Sequence, residues 1–114
     1  MAVIGFTSKG EQDWFVSRWV FHQLFEDVAA NSELDPEMAS ELKQAEALDG
    51  LHLDMLEAAL ASRVERVLER VVTGIVAGTI QSGVGARYGD PATQTEYRSA
   101  LQQLLGIVRS RRSA

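Results

Sequence analysis

The chain has 114 residues, 46% of them hydrophobic, and a formal net charge of -5, enough to build one ordinary core in a single domain spanning 1–114. It contains no cysteine, which excludes disulfides, thiolate metal sites and cysteine nucleophiles together and fits a reducing compartment. No run reaches the roughly 18 apolar residues of a membrane span. The opening segment lacks the basic and apolar regions of a secretory leader, so a cytoplasmic location is expected.

Taken in chain order, Ala2 to Phe6 is short and apolar and fits an extended arm or a small edge strand. Ser8-Lys9-Gly10-Glu11 matches a capping box, in which serine and glutamate satisfy each other's free backbone N–H groups. This predicts a first helix over about 9–30. Six of the eight aromatic residues fall within the first 25 positions. On a helix, Trp14, Phe21, Leu24, Phe25 and Val28 share one stripe and should form its buried face. Phe15 and Trp19 point away from that stripe, among polar neighbours, and should be covered either by the rest of the chain or by another molecule.

Asn31-Ser32 breaks the pattern, and Asp35-Pro36-Glu37 supplies an N-cap carboxylate, a proline in the first turn and an acid beside the positive helix end. A second helix is predicted over 36–48, burying Met38, Leu42 and Ala45 and ending at Asp49-Gly50 with a residue tolerant of positive φ. The third, over about 51–81, carries Leu53, Leu56, Leu60, Val64, Val67 and Val71 at three- and four-residue steps. Its second half turns apolar on all sides and should be the most buried segment, with Gly74 and Gly78 admitting another helix. Gly83, Gly85 and Gly89 mark a loop. Asp90-Pro91 then opens a fourth helix over about 91–109, burying Tyr97, Leu101, Leu104, Leu105 and Val108. The fold class is therefore all-α, a compact four-helix domain arranged as a bundle or an orthogonal array.

The chemistry-bearing residues are sparse. His22 and Glu26 stand one helical turn apart but supply two ligands at most, fewer than a zinc site uses, so no metal is expected. The 83–89 loop lacks the lysine-serine ending of a phosphate loop and follows a helix rather than a strand, so no cofactor is expected either. Its weaker reading is an anion pocket built on Arg87 and Tyr88. No activated nucleophile, acid–base pair or oxyanion device stands out, and the chain does not read as an enzyme.

Charge is more informative. Residues 1–57 hold 12 acidic and 3 basic side chains, and residues 58–114 hold 4 acidic and 8 basic ones. The acidic part repels nucleic acid and favours a basic protein partner. The expected function is a non-enzymatic protein–protein interaction module. Homodimerisation is expected through Phe15 and Trp19, and Glu37, Glu41 and Glu46 should face a basic partner. An inhibitor of a basic toxin has this size and charge, by analogy only. Two alternatives remain. One is a nucleic-acid-associated regulator using the arginines at 109–112 or a helix-turn-helix around 48–51, disfavoured by Asp49, Asp54 and Glu57. The other is a small-ligand site near Gly74 and the 83–89 loop.

Overall fold

A computed structural model describes residues 1–6 and 13–113, with side chains described as far as Arg111. The chain is mostly helical but carries a small sheet. Its elements are β1 (Ala2–Gly5), β2 (Trp14–Val16), α1 (Arg18–Asn31), α2 (Pro36–Leu48), β3 (Gly50–His52), a 3-10 turn (Leu53–Met55), α3 (Ala58–Ala77), the single turn α4 (Val84–Arg87) and α5 (Pro91–Ser113).

The sheet corrects the expected all-α, four-helix architecture. β1 lies in the centre, antiparallel to β2 and parallel to β3. The segment expected as an extended arm or edge strand is thus extended over 2–5, but as the central strand and not an edge. Residues 14–16, expected inside a helix over 9–30, form β2 instead, and α1 begins only at Arg18. Trp14-Phe15-Val16 is aromatic and β-branched, which suits a pleated surface, and it alternates buried, exposed, buried. Pairing Ala2 with Val16 and Ile4 with Trp14 puts four apolar side chains on one face. The helical and extended readings both bury Trp14, so its burial alone does not separate them. The proposed capping box at 8–11 lies outside the described residues.

The third predicted helix is corrected in the same way. Leu51 pairs with Ile4 across the parallel ladder, and within β3 buried Leu51 stands between half-buried Gly50 and exposed His52, as side chains alternate on a strand. Helix α3 starts at Ala58 and stops at Ala77, where Gly78 adopts φ 83° and its N–H reaches back to the last turn. The second half of α3 is not the most buried segment: Val71 and Val72 are buried, Ile75 and Val76 only partly so, and Ala77 is exposed. Gly74 is a contact point, but not for another helix. A β-carbon there would collide with the Ile80 side chain, because the turn after α3 folds back onto it. Gly78 has nothing within 4 Å of such a carbon, and its role is conformational.

Helix α2 keeps its predicted limits. Asp35 caps it by accepting from Met38 N at 2.9 Å, and Pro36 occupies the first turn. The left-handed residue that ends it is Asp49, at φ 54°. Helix α5 begins at Pro91 as expected and runs four residues beyond 109.

The core lies between the inner face of the sheet and the helices. Ala2, Ile4, Trp14, Val16 and Leu51 meet Phe21, Leu24, Phe25 and Val28 of α1 within one buried cluster that also takes in α2, α3 and α5. Trp14 Nε1 donates to the Ala100 carbonyl at 3.0 Å, which ties β2 to α5. Helices α3 and α5 pack on each other.

Candidate functional site

The most densely bonded polar group is Asp27 on α1, 2% exposed. Its Oδ1 accepts from Gly83 N at 2.8 Å and Gln23 Nε2 at 3.2 Å. Its Oδ2 accepts from Ser82 Oγ and from the Tyr97 hydroxyl at 2.7 Å. Ser82 Oγ in turn accepts from Val84 N. Burial pushes the Tyr97 phenol far above its ordinary pKa, and the hydrogen bond to Asp27 adds to the shift. Both carboxylate oxygens are occupied by donors, as a buried carboxylate requires. The arrangement fastens the loop after α3 to α1 and α5 and leaves no carboxylate oxygen open to a reacting group.

Trp19 completes this assembly. Its ring lies 5.1 Å from Tyr88 and 6.2 Å from Tyr97, centroid to centroid, and it is half-buried. The fold therefore covers one of the two off-stripe aromatics with its own tyrosines. Arg87 pairs with Glu26 at 2.9 Å, so the cation of the suggested anion pocket is engaged by the chain's own carboxylate.

His22 does not converge with Glu26. Its Nε2 lies 2.8 Å from Asp49 Oδ1, and its Nδ1 is 3.7 Å from Glu46 Oε2. Arg18 Nε reaches Asp49 Oδ2 at 2.8 Å. The His22 hydrogen bond holds the Asp49 carboxyl below its ordinary pKa, with further help from Arg18 and against the opposing effect of desolvation. This node fixes the left-handed turn between α2 and β3. Among the described residues no group of three or more His, Asp or Glu side chains is arranged to hold a metal ion, and no helix is long and apolar enough to cross a membrane.

Of the pair Phe15 and Trp19, Phe15 is the one left uncovered, at 56% exposure. It sits on the outward face of the sheet, paired with Val3, which is paired in turn with Gly50. Glycines keep this face low. A β-carbon on Gly50 would lie 3.5 Å from Val3 Cγ1, and one on Gly5 would come within 3.0 Å of His52 Nδ1. The His52 ring thus lies across two backbone positions. Beyond Gly50, a groove of about 340 Å³ runs between the end of α2, β3 and the 3-10 turn. Leu48 and Met55 border it at 70% and 80% exposure. With Met1, which precedes Ala2 in the strand alternation, these are the exposed large hydrophobic residues among those described, and all belong to this face or its rim.

The three expected partner-facing carboxylates do not act together. Glu37 pairs with Arg63 at 3.2 Å, and Glu46 lies beside His22. Glu41 has no ion pair among the described residues and lines the groove. Asp35 also pairs with Arg63. Sequence reasoning found Phe15 but missed Val3, Leu48 and Met55, because their common surface depends on a parallel pairing between segments almost 50 residues apart. The helix-turn-helix reading loses its geometry, since β3 and the 3-10 turn separate α2 from α3. No family model, curated protein or solved structure matches this chain.

Proposed function

We propose that the chain is a non-enzymatic protein-binding module of the cytoplasm that docks through the outward face of its sheet onto a basic protein. The exposure of Phe15 carries this reading. An aromatic ring costs free energy when left in water and is enriched among interface anchors, and here it continues through Val3 and Gly50 to Leu48 and Met55. The closed hydrogen bonding of Asp27 favours binding over catalysis, because a general acid or base needs a path to substrate.

Charge favours a different protein over a second copy. Residues 37–57 contain six carboxylates and one lysine; Arg63 engages Glu37 and Arg18 engages Asp49, but Glu41, Asp54 and Glu57 have no ion pair among the described residues, and the surface stays acidic. Two such surfaces meeting would repel each other, whereas a basic surface would be drawn in at a salt-dependent rate. The exposed row on three short strands is also small beside the roughly 800 Å² per partner of a stable interface. It is an anchor within a larger contact.

Phe15→Ser tests the reading. The exposed side chain should be removable with stability unchanged within about 0.5 kcal/mol, while retention of a basic partner from the native host should fall at least about tenfold. A dimeric wild type made monomeric by Phe15→Ser would assign the face to a second copy. A marked loss of stability would show that Phe15 serves the fold instead.

A further inference from the structure

We infer that the groove between α2, β3 and the 3-10 turn receives an amphipathic helix of the partner, with apolar anchors between Leu48 and Met55 and a lysine or arginine against Glu41. This rests on the protein-binding reading above and specifies its partner. The groove's volume of about 340 Å³ is at the small end of the roughly 300–1,000 Å³ typical of ligand pockets. That is room for one or two apolar side chains. Its lips are two large hydrophobic side chains held in water, and its lining carboxylate has no counter-ion among the described residues.

The mode of docking follows from what surrounds β3. The groove is lined by Glu41, Gln44, Ala45 and Leu48 of α2 and by Met55 and Leu56 beyond β3, so an occupant meets mainly side chains. A helix laid into a groove needs no backbone edge, because it reads the surface through apolar side chains at three- and four-residue spacing. Its polar face must be basic. Glu41 lines the groove and Asp54 adjoins Met55, and neither has an ion pair among the described residues.

The probe is a labelled synthetic peptide of leucine and lysine, with leucines at helical spacing, compared with a scrambled peptide of the same composition. Binding to the full chain should be measured by fluorescence anisotropy at low and high salt. The helical peptide should bind at least about tenfold more tightly than the scrambled one. The double substitution Leu48→Ser, Met55→Ser should remove that preference, and circular dichroism should show the fold intact because both side chains are exposed. Glu41→Gln should weaken binding about two- to threefold and reduce its salt dependence. Equal binding of the two peptides, or equal binding to the wild type and the double variant, would reduce the interaction to unspecific charge and overturn the inference. Absence of binding would overturn it too. The Phe15→Ser result is independent: host-partner retention that depends on Phe15 but not on Leu48 and Met55 would leave the proposed function standing and this groove without its occupant.

Discussion

Asp27 is a buried carboxylate held by four donors, and its energetics rest on keeping each of them in place. Removing one donor leaves part of a buried charge unsatisfied, so Tyr97→Phe should destabilise by about 1–3 kcal/mol. The phenol supplies a second signature. Its pKa is raised in the folded state, so the folded chain retains a proton that the unfolded chain releases near pH 10. The corresponding stability is fully present below that pH and is lost as pH rises above it. Ultraviolet absorbance during alkaline titration should show the Tyr97 phenolate appearing only as the chain unfolds. Stability above about pH 10 should fall less steeply in Tyr97→Phe than in the wild type. An ordinary titration of the Tyr97 phenol in the folded protein would contradict this description of the site.

At the scale of elements, two glycines on α3 act for different reasons and should respond differently to substitution. Gly78 faces open space but sits at φ 83°. Alanine there should cost about 1 kcal/mol through backbone strain alone. Gly74 has ordinary helical geometry but touches Ile80, so leucine should cost about 1–3 kcal/mol through overpacking. Denaturant midpoints at constant slope measure both effects. If Gly78→Ala were neutral, the left-handed cap would not be holding the end of α3.

These elements also show where sequence patterns decide structure. Asp35-Pro36 and Asp90-Pro91 mark helix starts by local chemistry, a side-chain cap followed by a residue with fixed φ, and both starts are legible without the fold. Strands β2 and β3 are three residues each, too short to display a period of their own. The partner that makes Leu51 a strand residue is Ile4, 47 positions away, and the side chain that fills the space above Gly74 comes from the following turn. The sequence singles out Phe15 and Trp19 by their place on a helix over 9–30, but Phe15 lies on β2 and owes its exposure to strand alternation, not to a helix face. Their different fates, one against Tyr88 and Tyr97 and the other in water, depend on tertiary packing.

For the whole molecule, the division into an acidic first half and a basic second half is only partly expressed at the surface. Arg63 crosses to Asp35 and Glu37, and Arg87 to Glu26. Exposed pairs of this kind contribute at most about 1 kcal/mol each, but they remove carboxylates from the set available to a partner. The carboxylates left without an ion pair near β3, Glu41 and Asp54, lie beside Leu48 and Met55, and Phe15 stands across β1 on the outward face of the sheet. The core is built on one side of the sheet, and the other side presents apolar side chains to whatever the protein meets. Replacing Phe15 with a photo-crosslinking phenylalanine derivative in the native host tests this most directly. A discrete adduct with a basic protein is expected from position 15 and none from the exposed position Gln102 on α5. Equal labelling from both positions, or an adduct only with a second copy of the chain, would contradict it.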